Sequence, residues 1–419
     1  MLGWRWLSIP LITILLVLAP VFWAFPEGLP AWRSAAIVSG WVGWGLLLAG
    51  LLLMIRESWL ADGLGGLERM YAWHHWLGML AYLVLLFHPL ALAREGWQES
   101  PAVAWAVLSP AEQGWPGWPG WLGWLALLAM MAGLGAALAR RLPYRHWRGL
   151  HHLFSLAVLL GLGHLLWLGL DAPALWAPLL ALAFIVWRVL RADQGWAARP
   201  YRVSGVVAAG EGMVEVALQP LGQGLAVQPG QFVLAAFFDG PGFRGCGEFH
   251  PFTVSDIGPE GRFSLGIKAL GDCTGHLQAV ESGVAVRVQG PFGDFFAGQS
   301  GPQFWLAGGV GITPFMGRLR AGPLAQPVRL LYLHRDAGDV AYDEELQALA
   351  GQQPLLSLVT VASGAGQPDL SPLLPAAGDL AGCDCYLCGP PGMVAAAVAI
   401  LRTRQVAPAR LHFESFEFR

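Results

Sequence analysis

Two apolar stretches of this chain each carry a pair of histidines at almost the same separation. The first reads Trp73-His74-His75-Trp76-Leu77-Gly78 near its start and His88-Pro89 near its end; the second reads Trp147-Arg148-Gly149-Leu150-His151-His152 and then His164. Ionisable side chains in segments apolar enough to cross a bilayer are costly, so they point to a task. Imidazole is the usual axial ligand that a helical bundle offers to haem iron. If His74 pairs with His151 and His88 with His164, the chain builds two stacked bis-histidine sites. Fourteen helical residues rise about 21 Å and leave a net rotation of roughly −40°, so His74 and His88 share a face. Thirteen rise about 19.5 Å but leave roughly −140°, so the heights match while the faces do not. The second stretch must therefore tilt, distort near Gly161 or Gly163, or compensate with rotamers. His75 and His152 stay open as substitute ligands.

A second set of candidates lies in turns. Gly309-Val310-Gly311-Ile312-Thr313-Pro314 follows the apolar run Phe304-Trp305-Leu306-Ala307 and opens a helix. Thr313 is placed to cap that helix and Pro314 suits its first position. The glycines let backbone approach a pyrophosphate, and the helix N-terminus supplies N–H donors. Lys268 is the only lysine in the chain and sits in Ile267-Lys-Ala-Leu-Gly-Asp-Cys-Thr-Gly-His-Leu277, where Thr274 can begin a short helix directed at phosphate. Cys383-x-Cys385-x-x-Cys388 has no fourth ligand at metal spacing, since Cys246 and Cys273 lie far off, so the five cysteines are expected to be reduced strand residues.

The elements that must hold these residues divide the chain near residue 195. Of 419 residues, 55% are hydrophobic and 13% charged, about half the charge of a soluble domain. Residues 1–192 hold 19 of the 21 Trp and 11 Arg, whereas all five Cys and 20 of the 28 acidic residues follow. Six apolar runs, near 6–25, 35–55, 70–93, 118–139, 149–170 and 173–190, approach the ~20 residues needed for a span. Ten arginines flank one side of these runs, against Arg33 and Arg94 on the other. That bias puts the N-terminus and everything after 195 in the cytoplasm of a multi-pass protein of the cell (inner) membrane. Trp clusters such as the one between Gly114 and Trp124 mark an interfacial belt. Net charge −3 without a Lys/Arg block excludes nucleic acid as an expected partner. After a linker at 196–201, short β-rich runs at Tyr201–Val207, Met213–Leu218, Gln231–Phe237, Phe249–Ser255, Arg262–Ile267 and Val284–Val288 predict a barrel. From about 303, strands at 304–307, 328–334, 355–361 and 385–388 alternate with helices, predicting a doubly wound parallel sheet. The expected units are 1–195, a membrane α-helical bundle; 196–298, a β-barrel; and 299–419, an α/β domain.

The front half resembles the ferric-reductase-like transmembrane domain shared by NADPH oxidases and iron reductases. The resemblance rests on Arg56, Gly65-Gly66-Leu67-Glu68-Arg69, Trp73-His74-x-x-Leu77-Gly78 and Trp147-Arg148-x-Leu150-His151 with His164. It implies two b-type haems held by His74, His88, His151 and His164, with Arg33 beside the outer one. Where those oxidases often place a Phe between the haems, this chain has Ala157. The back half resembles the ferredoxin-NADP reductase superfamily in its NADPH-oxidase variant. It carries Pro229-Gly-Gln-Phe232, His250-Pro251-Phe252-Thr253, Gly290-Pro-Phe-Gly293 and Cys388-Gly-Pro-Pro-Gly-Met393 in the expected order. That resemblance implies FAD, with His250, Pro251, Phe252 and Thr253 at the flavin and Lys268, Gly271 and Thr274 on its pyrophosphate side. It gives Gly309, Gly311 and Thr313 to NADPH or NADH, Cys388 to the place of hydride transfer, and Phe416, with Phe418 as alternative, to stacking on the flavin. Arg335, after the second strand of the α/β domain, stands where a 2′-phosphate would favour NADPH.

Together these imply electron transfer from cytoplasmic NADPH to an external acceptor. Dioxygen, giving superoxide, is the first expectation, because the outer loops lack Cys, His and Met clusters and Arg33 would favour a forming anion. A ferric chelate is the same-class alternative; a haem-binding membrane cytochrome subunit or sensor is the different-class one. Without an EF-hand loop, long insertion or Pro-rich tail, no obligatory protein activator is expected.

Overall fold

The computed structural model describes residues 5–109, 118–138, 142, 144–167, 176–296, 301–336, 338, 340–364 and 368–413. Among the described residues the front half is built of helices: α1 (Arg5–Ala24), α2 (Ala31–Leu53), α3 (Ser58–Leu64), α4 (Leu67–Gly96), α5 (Pro101–Leu108), α6 (Trp118–Leu138), α7 (Tyr144–His151), α8 (Leu153–Trp167) and α9 (Trp176–Trp187), which runs into a π-helical turn at Arg188–Asp193. Among the described residues three stretches, Ala31–Leu53, Leu67–Gly96 and Gly149–Trp167, are long and apolar enough to cross a membrane. α2 is the buried centre of the bundle, while α4 and α8 turn Leu80, Leu83, Phe87, Leu90, Leu156 and Leu159 outward, where acyl chains would cover them.

α2 and α4 run antiparallel at close range because glycines line the seam. A methyl group on Gly40 would come within 3.0 Å of His88, and one on Gly43 would strike Leu85. The distortion expected near Gly161 or Gly163 falls elsewhere. The fifth run breaks at His152, between α7 and α8, where the amides of Ser155 and Leu156 both turn back to the His152 carbonyl. Gly161 and Gly163 are used for packing instead, against Trp44 and Leu122. A break next to His151 frees its ring from the angular frame of α8, which removes the rotation mismatch of an unbroken helix.

The six expected β runs form one closed antiparallel barrel: β1 (Arg199–Gly210), β2 (Met213–Pro220), β3 (Phe232–Phe237), β4 (His250–Ile257), β5 (Phe263–Lys268) and β6 (Ala285–Phe292), in the order β1-β2-β5-β4-β3-β6. Closure leaves no free edge. Val203, Val216, Val233, Val254, Leu265 and Val286 fill it. A five-residue helix, α10 (Asp272–His276), follows β5.

The second sheet is parallel, ordered β11-β10-β7-β8-β9, from β7 (Gln303–Gly308), β8 (Val328–His334), β9 (Leu356–Ala362), β10 (Asp384–Cys388) and β11 (Leu411–Phe413). Helices α11 (Thr313–Arg320), α12 (Asp343–Gln352) and α13 (Pro391–Thr403) follow β7, β8 and β10. β11 is a fifth strand that the hydrophobic pattern did not announce, being three residues long. Chain order reverses between β7 and β10, which makes the crevice outside their carboxyl ends the topological switch point.

The cysteines depart from expectation. Cys246 and Cys273 lie in a loop and in α10, not on strands, and are paired as a disulfide with Cα atoms 5.8 Å apart; Cys383, Cys385 and Cys388 are buried and not disulfide-bonded. Sequence distance misled here, because β4 and β5 pair as antiparallel neighbours, which brings the segment before β4 beside the one after β5.

Candidate functional site

The four histidines meet in two pairs. The ring centroids of His74 and His151 are 5.8 Å apart, those of His88 and His164 6.4 Å. Two imidazoles on one iron, with N–metal bonds of about 2.0 Å each, would stand roughly 6 Å apart centroid to centroid. The donor set therefore fits one metal per pair.

The support comes from α2, and sequence reasoning passed over it. His74 Nδ1 lies 3.1 Å from the Gly50 carbonyl and His88 Nδ1 2.7 Å from that of Ala36. A carbonyl only accepts, so each Nδ1–H donates and each Nε2 keeps its lone pair for a metal. Ala36 and Gly50 are fourteen residues apart, as are His88 and His74, so the same spacing is written twice on antiparallel helices. The readable signal was the glycines of α2. Gly123 on α6 makes the same allowance for His164, since a methyl group there would lie 3.4 Å from its ring. His151 stacks on Trp147 at 4.9 Å, and its buried Nδ1 has no hydrogen-bond partner among the described residues.

Between the two pairs, the indole of buried Trp44 packs on Gly161, one helical turn beyond Ala157. An aromatic ring thus comes from α2 rather than from the fifth run. Arg33, expected as a lone outer cation, is held by Glu95 at 2.7 Å, which balances its charge.

The barrel docks on the His74 end of the bundle. Gln289 of β6 donates to the Ala192 carbonyl at 2.8 Å and Arg287 to that of Gln194 at 3.2 Å. Arg56 pairs with Asp193 at 3.2 Å and lies over the Phe249 ring, immediately before His250. His250, Pro251, Phe252 and Thr253 form the first half of β4, with Thr253 opposite Phe232 and both buried.

Thr274 does not begin α10. The helix starts at Asp272, and the Thr274 hydroxyl accepts from the amides of Leu270 and Gly271, both at 3.0 Å, closing the loop around Gly271. Nor does Thr313 cap α11. It is already helical, its hydroxyl donates to the Val310 carbonyl at 2.9 Å, and its methyl packs against Gly266 of β5. The 3-10 turn at 309–312 takes the capping place.

Lys268 reaches past its own loop. Its Nζ stands 4.0 Å from where a methyl on Gly309 would lie, so the lone lysine faces the β7 turn from the barrel. Gly309 has φ +53°, and its carbonyl accepts from the buried Tyr332 hydroxyl at 3.2 Å. Gly311 lies so close to the end of β10 that a methyl would collide with the Cys388 carbonyl oxygen. Gly309, Gly311 and Cys388 are thereby gathered at the switch point. Arg335 sits just past β8 at the same edge, exposed, its carbonyl accepting from Gly364 at 2.9 Å. Phe416 and Phe418 lie outside the described residues.

A partly buried polar cluster fixes the two sheets to each other. Arg320 of α11 binds Glu215 of β2 at 2.7 Å, Glu345 of α12 at 2.6 Å and the Ser255 carbonyl of β4 at 3.0 Å. Burial and the Glu215 carboxylate push the Tyr342 phenol up, so it stays protonated and donates to Glu215. The C-terminal end of α11, the helix that follows the glycine turn, is thus clamped against β4, the strand that begins His250-Pro-Phe-Thr.

Residues 39–162 match the family described as ferric reductase like transmembrane component, and residues 305–399 the oxidoreductase NAD-binding domain. The front half of the chain thus resembles a ferric-reductase-like transmembrane component and the back half an oxidoreductase NAD-binding domain. A flavohemoprotein of Chromobacterium violaceum is 30% identical over 257 residues, 54% of this chain and 62% of that one. The ferredoxin–NAD(P)+ reductase component of a naphthalene 1,2-dioxygenase/salicylate 5-hydroxylase system from Ralstonia sp is 27% identical over 217 residues, 47% of this chain and 62% of that one. The chain spans about three fifths of the length of these relatives. Among solved structures, the FAD/NAD-binding domain of a nitric oxide dioxygenase from Vibrio cholerae O1 biovar El Tor is 23% identical and covers 52% of this chain and 98% of its own, with a TM-score of 0.44.

Proposed function

We infer that this oxidoreductase carries electrons from cytoplasmic NADPH across the membrane to dioxygen on the far side, giving superoxide. The observation that supports this reading most is the pair of facing histidine couples, one of them at the bundle end on which the FAD/NAD-binding module docks. When bound, FAD supplies the conversion of a two-electron hydride into single electrons, and two b-type haems supply one-electron steps through the bilayer. In this reading His74 and His151 hold the inner haem, and His88 and His164 the outer one. The Gly50 and Ala36 carbonyls set the tautomers of His74 and His88. His250 to Thr253 carry the flavin ring; Lys268, Gly271 and Thr274 stand at phosphate; Gly309, Gly311 and Thr313 receive the nicotinamide dinucleotide, with Cys388 beside the nicotinamide and Arg335 at the 2′-phosphate. Phe416, outside the described residues, is assigned to stacking on the flavin, and Arg33, tempered by Glu95, stands by the outer site.

A ferric chelate as acceptor is the second reading, favoured by the match to ferric-reductase-like components. A haem-binding cytochrome subunit or sensor would need no nucleotide turn. NADPH consumption in air, set against anaerobic buffer with and without ferric citrate, separates the three when combined with superoxide-dismutase-sensitive cytochrome c reduction. Turnover in air that the dismutase blocks is expected. Turnover that needs iron rejects the oxidase reading, and no NADPH-dependent haem reduction rejects both enzyme readings.

A further inference from the structure

Cys246 and Cys273 are 27 residues apart in sequence and paired in space. His250 joins them: one ring nitrogen and both sulfurs lie within 4.8 Å of one another, and all three residues are partly exposed. The other three cysteines are buried.

Two placements make this pair more than a staple. Its sulfurs hang on the two segments assigned to the flavin, since Cys246 precedes His250 by four residues and Cys273 sits between Gly271 and Thr274. In addition, the arginine bias puts the module in the cytoplasm, where thiols are kept reduced and the disulfides that occur are mostly transient or redox-sensing. A neighbouring imidazole favours thiolate, the reactive form.

We propose that Cys246 and Cys273 are a hydroperoxide-reactive dithiol that ties the flavin cradle shut when oxidised. The cradle rests on the FAD reading above. In the first step one thiolate attacks hydrogen peroxide; the S–O bond forms as the O–O bond breaks, leaving a sulfenic acid and hydroxide. The second thiolate then attacks that sulfur and expels a second hydroxide. Both hydroxides take up the two thiol protons, so two thiols and one peroxide become one disulfide and two waters. The sulfurs lose two electrons and the peroxide gains them. The loop after β5 is tied locally by the Thr274 hydroxyl to the amides of Leu270 and Gly271. In the oxidised state it is also bonded to the loop before β4.

The test uses the full-length protein in detergent, reduced and freed of reductant, then treated or not with hydrogen peroxide. Alkylation under denaturing conditions should mark five cysteines before peroxide and three after, with one cross-linked peptide pair containing Cys246 and Cys273. FAD release on dilution, followed by flavin fluorescence, should slow roughly fivefold after peroxide, the order expected when a flexible loop is closed. Cys246→Ser and Cys273→Ser should each release FAD at one rate with or without peroxide. Both thiols staying alkylatable, or equal release in the two states of the natural chain, overturns the proposal. So does one equivalent of zinc retained by the reduced protein and lost in both serine variants, which would make the cluster a metal site. Protein without FAD in either state defeats the flavin reading and the cradle with it; bound FAD with unreactive thiols defeats this inference alone.

Discussion

The two halves of this chain place their chemistry by opposite means. In the bundle, side chains project from regular helices, and one fourteen-residue interval appears on α4 as His74 and His88 and on α2 as the carbonyls of Gly50 and Ala36. In the back half the candidate groups sit where strands end, and at Gly311 there is no room for a methyl. A periodic scaffold tolerates much around a ligand but nothing at the ligand itself. A turn scaffold fails through backbone contacts as readily as through a lost side chain.

The largest effect should come from removing a ligand. His88→Leu or His164→Leu should lower the haem:protein ratio from about two to about one, because an axial pair acts as a unit. Electron delivery to the far side should stop, while NAD(P)H still reduces the flavin in the separate module. Pyridine haemochrome counts and stopped-flow flavin bleaching check both halves of this statement. Unchanged haem content in either variant would break the contrast, since the bundle would then not depend on these residues.

The converse experiment perturbs a turn. Gly311→Ala puts a methyl onto the Cys388 carbonyl oxygen, and overpacking of this kind costs about 1–3 kcal/mol. kcat/KM for NADPH should fall by about ten- to a hundredfold if that energy appears at the nucleotide site, with haem content unchanged. Gly135→Ala on α6, whose added methyl meets nothing within 4 Å, should alter neither quantity. Equal losses in both glycine variants would show that the turn carries no special constraint.

What was legible follows the same division. The histidine pairs, the six barrel strands and four of the five parallel strands could be read from spacing and alternation, because each rests on a local period. Less visible were features that arise when distant segments meet. The Cys246–Cys273 pair depends on the antiparallel pairing of β4 with β5, Trp44 reaches Gly161 from another helix, and the Glu95 partner of Arg33 lies 62 residues away. Thr313 and Thr274 had the right residue type for capping. Their hydroxyls instead tie local loops, since a 3-10 turn and Gly271 already occupy the cap positions. The break at His152 was anticipated in kind and misplaced by about ten residues, because glycine content was taken as weakness where it serves close packing.

A smaller effect probes the nucleotide edge. Arg335 lies exposed beyond β8, beside the strand that opens the glycine turn. Hydrogen bonds to a charged group contribute about 1.5–3 kcal/mol, and solvent exposure takes this toward the lower end. Arg335→Ala should raise the KM for NADPH about tenfold and leave that for NADH unchanged. Equal changes for both nucleotides would remove the 2′-phosphate assignment and leave Arg335 a surface charge.

The smallest effect lies at the outer mouth of the bundle, where the pairing of Arg33 with Glu95 changes what its removal should do. A lone cation would lower the energy of a forming superoxide, and its loss would be felt strongly. Here Glu95 sits 2.7 Å away and the Arg33 side chain is 52% exposed, so the pair presents little net charge and water screens what remains. Two unit charges 4 Å apart interact by only about 1 kcal/mol in water, and less at greater distance. Arg33→Ala leaves the Glu95 carboxylate facing the site and should slow dismutase-sensitive cytochrome c reduction by about two- to threefold. Glu95→Gln leaves the guanidinium uncompensated and should raise the same rate by a similar factor. Both differences should shrink as salt rises, because exposed charges are screened over about 10 Å at 0.1 M ionic strength. Rates that move in the same direction in the two variants, or that ignore salt, would mean the pair acts by holding α2 to α4 and not by its field, and Arg33 would lose its assigned place beside the acceptor.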